Sequence, residues 1–179
     1  HFLIAMPALL DFNFVQSVIY ICAHNEEGSM GVVINRPIVD ISLGAVLAQM
    51  EISVKDEQVK DIPVFLGGPV QNERGFIIHR PSQFWQSTLV TSNELALTTS
   101  QDILQAMAEG TGPTDALVIL GYSGWGVGQL EKEIANNYWL TVPAEPKILF
   151  NTPCEMRWQA ALNMLGVDGS SLSAESGHA

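Results

Sequence analysis

Basic residues are scarce in this chain. Its 179 residues hold 8 Lys and Arg against 19 Asp and Glu, a formal charge of −11 with His neutral. The few cations are scattered and form no run. That disfavours direct nucleic-acid binding, which draws on clustered Lys and Arg. The overall field also repels phosphates and anionic lipid headgroups. Cysteine is nearly absent. Cys22 and Cys154 stand alone, so the sequence offers neither a disulfide framework nor a C-x-x-C motif. Long apolar runs are missing as well. The longest uncharged stretch, residues 116–130, holds four glycines and falls short of the ~20 apolar residues that span a bilayer. The apolar start, residues 1–10, has no basic residue before it and is broken by Pro7, unlike a signal peptide. These absences point to a cytoplasmic protein with no membrane association.

What is present suits one compact domain over residues 1–179. Hydrophobic residues make up 47% and charged residues 15%, a balance that excludes a disordered chain. The expected class is α+β: a mostly antiparallel, partly folded sheet with β-hairpins and about four helices.

The first third reads as strands. Residues 2–6 are apolar and end at Pro7. Residues 15–23 are rich in β-branched and aromatic side chains on both faces, as in a doubly covered strand. His24-Asn25-Glu26-Glu27-Gly28 supplies turn residues, and residues 30–35 return, making a hairpin. Residues 42–50 read as a helix with Leu43, Val46, Leu47 and Met50 on one face, capped by Ser42 or Asp40. Residues 51–61 form a charged surface excursion. Residues 63–66 and 76–79 read as a second hairpin. Its return, Gly75-Phe-Ile-Ile-His-Arg-Pro81, echoes Gly31-Val-Val-Ile-Asn-Arg-Pro37. If that echo is structural, two equivalent strands each end in a polar residue and an Arg.

Further strands are expected at 84–91, 94–98, 116–120 and 138–142. Thr99-Ser-Gln-Asp102 resembles a capping box opening a helix at 101–109, which Gly110 ends. Residues 121–128 read as a glycine-rich turn into a helix at 129–137. A last amphipathic helix covers 155–165.

Several groups could carry chemistry. A helix N-terminus after Gly121, Gly124, Gly126 and Gly128 could hold an anion, although the spacing matches no phosphate-loop pattern. Ser123 fails the G-x-S-x-G elbow because Trp125 stands at its last position. On a helical projection counted from Val127, Glu131 falls beside Leu130, Ile134 and Tyr138, with Lys132, Glu133 and Asn136 on the wet side. A carboxylate so placed needs a donor. Arg36, Arg80, His79 and the turn's own N–H groups are the candidates. A structural hydrogen bond there is favoured over catalysis. Cys22 and His24, two apart on a strand, would share a face; a core residue and a turn histidine is the simpler reading. No His or Cys shows metal-ligand spacing, and no cofactor is implied.

Taken in order, Phe2-Leu-Ile-Ala-Met-Pro7, Tyr20-Ile-Cys-Ala-His-Asn25, Gly31-Val-Val-Ile-Asn-Arg-Pro37, Gly67-Gly-Pro-Val70, Arg74-Gly-Phe-Ile-Ile-His79, Gly121-Tyr-Ser-Gly-Trp125, Gly128-Gln-Leu-Glu131, Asn137-Tyr-Trp139 and Gly177-His-Ala179 resemble the AlgH/YqgE family of bacterial proteins of unknown function. The resemblance covers essentially the whole chain. It departs at Ser123 and Ser176, where the family usually has Ala. It implies a single mixed α/β domain with an unusual, partly folded sheet, no established enzyme activity, and a tail that docks on the body. The family name reflects a proposed role in transcriptional control of alginate synthesis; the charge of −11 argues against direct DNA contact.

The function expected is therefore non-enzymatic binding of a small molecule or protein partner, in a regulatory role. The expected cleft is built from Asn35, Arg36, His79, Arg80, Gly121, Gly124, Gly126, Gly128 and Glu131. The rival is a hydrolase or transferase using Glu131 with His79 or His24. A third reading is a transcriptional regulator that does not touch DNA itself.

Overall fold

The computed structural model describes residues 1–7, 9 and 11–166. The expected docking of the tail falls outside these residues. In chain order the elements are β1 (Phe2–Ala5), β2 (Val18–Asn25), β3 (Gly28–Val33), β4 (Pro37–Ser42), α1 (Leu43–Gln49), β5 (Pro63–Leu66), β6 (Val70–His79), β7 (Thr88–Val90), β8 (Ala96–Thr98), α2 (Asp102–Glu109), β9 (Ala116–Trp125), α3 (Gln129–Ala135), β10 (Trp139–Val142), α4 (Pro146–Phe150) and α5 (Arg157–Asn163). Two 3-10 segments lie at Glu57–Asp61 and Cys154–Met156. The strands form one 10-stranded sheet in the order β10-β1-β2-β3-β9-β6-β8-β7, with β4 and β5 off this path. All pairings are antiparallel except β5 with β9. The α+β class therefore holds. Among the described residues there are five helices, in line with the expected handful; the one without a sequence counterpart is α4, which opens on Pro146 and is too short to show a periodic stripe.

Strand β9 organises the sheet. One edge pairs with β6 from Ala116 to Tyr122, across a register shift. The other edge changes partner midway: Val118–Leu120 run beside β5, whereas Ser123, Gly124 and Trp125 pair with Gly31, Met30 and Ser29 of β3. The switch occurs at Gly121, whose φ of +79° only glycine adopts without strain. Here Gly67 and Gly68 press onto β9. A Cβ on Gly67 would sit 2.3 Å from the Gly121 carbonyl oxygen, and one on Gly68 2.2 Å from that of Tyr122. Glycine is thus required by contact as well as by dihedral, and the two halves of the sheet fold over each other at this crossing.

Three cores follow from this arrangement. Phe2, Tyr20, Val32, Ile34, Phe76, Ile78, Leu117 and Ile119 face one side and meet α4 and α5 through Ile148, Leu149, Ala161 and Leu162. On the opposite side α1 and α2 pack Leu43, Leu47, Ile103 and Met107 against Val64, Ile77 and Val118. Farther along, Leu3, Ile19, Val33, Trp125 and Trp139 meet Leu130 of α3. Residues 18–20 and 117–119 are buried strand, as their unalternating sequences require.

Several expectations need correction. Residues 121–125 continue β9, so the glycine-rich turn shrinks to Gly126–Gly128; β-bridges to β3 carry the strand on past Gly121 and Gly124. Residues 84–87 are not strand, and a strand at 37–42 was hidden by its opening proline. Val15 and Gln16 lie outside β2, in a turn where Gln16 has φ +51°. The hairpin echo is not structural. Gly31–Val33 pair with β2, whereas β6 pairs with β8 and β9 and makes no ladder with β5. Ser42 sits at the N-cap of α1 without a side-chain cap bond. Asp102 accepts instead from Ser100 Oγ and from the Gln86 and Ile103 N–H groups, so Thr99–Asp102 is no reciprocal box.

Candidate functional site

The residues expected to share one cleft lie on several elements: after β3 (Asn35, Arg36), at the end of β6 (His79, Arg80), on and after β9 (the glycines) and on α3 (Glu131). His79 pairs with Ala116 at the start of β9, and Gly124 lies near the end of that strand beside Met30. Eight residues separate these levels, roughly 26 Å at ~3.3 Å per residue. The first group is structural. Asn35 accepts from Val18 N–H at 2.9 Å and donates to Gln16 O at 3.0 Å, while Arg36 donates to the carbonyls of Asn13 and Val15. Together they hold the loop before β2. Arg80 is paired with Asp115 at 2.9 Å. Gly121 is buried at the crossing, and Gly124, Gly126 and Gly128 are exposed. Helix α3, opened by Gly128, has only seven residues.

His79 is fully buried, and its hydrogen bonds fix its proton. Nδ1 faces the Arg80 carbonyl at 2.7 Å, which can only accept, so Nδ1 carries the hydrogen. Nε2 then accepts from Thr98 Oγ1 at 2.7 Å, Thr98 from Thr88 Oγ1 at 2.8 Å, and Thr88 from the Trp85 N–H at 2.8 Å. Trp85 also meets the imidazole edge-on at 5.0 Å. Burial pushes the imidazole pKa below its ordinary value, partly offset by the Arg80 carbonyl. This is a neutral, satisfied core histidine.

Glu131 is not buried. Its side chain is 54% exposed, and its partner is His24 Nε2 at 3.1 Å, none of the four donors expected. The buried-side acid of α3 is Glu133. Its Oε1 accepts from the indole N–H groups of Trp139 at 3.1 Å and Trp125 at 3.3 Å. The projection failed because it counted from Val127, which is 76% exposed and precedes the helix. From Leu130, the inward positions are Glu133 and Ile134.

His24 also bonds Ser29 Oγ through Nδ1. Ser29, His24 and Glu131 thus form a chain of hydroxyl, imidazole and carboxylate. Ser29 is only 9% exposed, however, which withdraws the hydroxyl from a substrate. Cys22 is not part of this group. A bulge between Ile21 and Ala23 shifts the alternation, so Cys22 joins the first core with Tyr20 and Met30, while His24 faces α3. Burial pushes the Cys22 thiol up to about 12, leaving it protonated and a poor nucleophile.

A groove of about 520 Å³ lies elsewhere, on the first-core face. No helix residue lines it. Met30, Phe76, Leu89, Leu97 and Tyr122 give it an apolar lining, beside Thr88 and Thr99. Phe76 and Tyr122 meet edge-to-face at 5.8 Å. Arg74 is the one charged lining residue, its guanidinium 5.4 Å above the Phe76 ring and 3.3 Å from Gln71 Oε1. Among the described residues it makes no ion pair. Sequence reasoning missed this site because Asn72–Gly75 fell in the connection of the expected second hairpin, between residues 63–66 and 76–79. A shift in register between Val70 and Gly75 bulges the intervening residues of β6 away from β9 and leaves Arg74 at the groove.

A single curled, mostly antiparallel sheet with helices on both faces and an apolar groove on one of them defines the class of protein. The particular family follows from comparison: the chain belongs to the AlgH-like family, which it matches over residues 2–170. It is 51% identical to a UPF0301 protein of Nitrosococcus oceani across 100% of this chain and 95% of that protein. It is 56% identical to one of Thioalkalivibrio sulfidiphilus across 99% and 95%. The solution structure of the AlgH protein from Pseudomonas aeruginosa matches with a TM-score of 0.81 at 50% identity, covering 100% of this chain and 94% of that one. A crystal structure from Corynebacterium diphtheriae shares the fold, with a TM-score of 0.71 at 22% identity over 91% and 84%. No helix among the described residues is long and apolar enough to cross a membrane.

Proposed function

We propose that this protein binds a small amphipathic anion in the groove beside Arg74, in a non-enzymatic role. One observation carries the reading. In a chain of charge −11, the groove is lined by a cation and no acid, among apolar side chains. Its volume of about 520 Å³ falls within the ~300–1,000 Å³ typical of small-molecule sites. The nearly buried Ser29 supports binding over hydrolysis at the His24–Glu131 pair.

Sodium decanoate, titrated into the protein and followed by amide NMR, should shift Met30, Phe76, Leu97 and Tyr122 saturably. Arg74→Gln should weaken binding by about tenfold, the value of one charge-assisted contact of ~1.4 kcal/mol. Equal binding of decyltrimethylammonium, whose head is cationic, would overturn the reading.

A further inference from the structure

A second cavity, about 260 Å³, opens between β5, the start of β9 and α4–α5. Its walls are polar and apolar in nearly equal measure, with Phe65, Leu117, Leu149 and Phe150 supplying the apolar part. Arg157 also lines it, although that side chain is only 6% exposed. A cation so deeply buried normally has an acid beside it. Among the described residues, Arg157 makes no ion pair.

Its hydrogen bonds show which atom is left over. Nε donates to the Thr152 carbonyl at 3.0 Å, and Nη1 to the Ile34 carbonyl. The guanidinium lies 5.0 Å over the Phe65 ring. Nη2 has no partner among the described residues. Nor is it sealed, since every fully buried side-chain nitrogen there is hydrogen-bonded. Arg157 is itself among the residues that line the cavity.

The other charges nearby nearly cancel. Asp115 is on the wall, but its Oδ2 accepts from Arg80 Nε at 2.9 Å, and the Arg80 guanidinium sits 5.7 Å over Phe150. Glu155 is exposed and forms no bridge to Arg157. One positive charge thus remains for one negative charge. A single free nitrogen beside the side chains of Phe65, Leu117, Leu149 and Phe150 suits one carboxylate oxygen with a small hydrocarbon body. A phosphate, which needs several donors, is poorly served. The volume lies below the ~300–1,000 Å³ of drug-sized sites, so the body is small. We propose that this cavity binds a small apolar monocarboxylate, of about the size of benzoate, through Arg157 Nη2. It is a different site from the Arg74 groove and does not depend on it.

The test uses the whole chain and two surface variants, because Arg157→Gln removes packing along with charge. Sodium benzoate should shift the amides of Thr114–Leu117, Leu149 and Phe150 and the Arg157 Nε resonance saturably. Inorganic phosphate at equal ionic strength should leave them unmoved. Thr114 is exposed at the cavity, so Thr114→Asp adds an acid there and should weaken benzoate about tenfold. Asp115→Asn releases Arg80 and should tighten it severalfold. No saturable shift at these residues overturns the proposal, as does phosphate binding as well as benzoate, or affinity unchanged in Thr114→Asp. Shifts confined to Met30, Phe76 and Tyr122 overturn it too, while leaving the groove reading intact.

Discussion

At the scale of single residues, burial decides what each candidate group does. His79 sits between the Arg80 carbonyl and the Thr98 hydroxyl, with Nε2 accepting. Protonation would add a buried charge and reverse the Thr98–Thr88 chain. Its folded pKa therefore lies below the unfolded value of ~6.5. The sign follows from linkage. Stability from this group is complete above the unfolded pKa and is lost as pH falls through the folded one. Urea unfolding between pH 7.5 and 5 should show a decline that is shallower in His79→Gln. An unchanged slope would mean that His79 takes up its proton without cost. The sequence offered His79 as a functional candidate because a lone histidine before Arg looks chemical. The hydroxyls that neutralise that reading lie nine and nineteen residues away, on β7 and β8, and no local pattern announces them.

Elements were legible where their period was long and unbroken, and phase was lost where a defect intervened. Helices α1 and α2, strand β2 and the first half of β9 lie close to where their apolar patterns put them. The cleft residues were misassigned where one residue shifts the face: the Cys22–Ala23 bulge sends His24 to the α3 side, and the late start of α3 exchanges Glu131 for Glu133. These two acids give opposite expectations. Glu133 holds two indoles that also contact each other and Phe14, at 6.1, 6.3 and 5.6 Å between ring centroids. Removing it strands two N–H donors beside a core. Glu133→Ala should cost ~2–3 kcal/mol and shift tryptophan fluorescence. Glu131→Ala breaks a half-exposed pair, which should cost ~1 kcal/mol or less and leave the fluorescence alone. Chemical denaturation of both variants checks this; similar losses would mean that the face of α3 is wrongly assigned.

For the whole molecule, the decisive feature is the crossing at Gly121, where one strand passes from β5 to β3 and the sheet folds over itself. The sequence shows the glycines of this crossing, Gly67, Gly68 and Gly121, in two motifs about fifty residues apart, but not that they touch. Their contact is a long-range fact, produced by the parallel entry of β5 and the bulging out of Gln71–Arg74. The groove beside Arg74 is a consequence of the same geometry, since that bulge sets Arg74 above Phe76. A side chain at Gly121 therefore has effects beyond its own strand. A Cβ there would lie 2.7 Å from the Gly68 carbonyl oxygen, and φ of +79° adds the ~1–2 kcal/mol of left-handed backbone in an L-residue. Gly121→Ala should destabilise the protein by at least that amount. It should also raise amide exchange at Leu120, Tyr122 and Gly75 more than at β1 and β10, which lie across the sheet. Binding in the Arg74 groove should weaken in the same variant, because Tyr122 and Phe76 flank the displaced point. Uniform loss of protection across the sheet, with groove affinity unchanged, would show that the crossing is an ordinary part of the core and not the joint that shapes the groove.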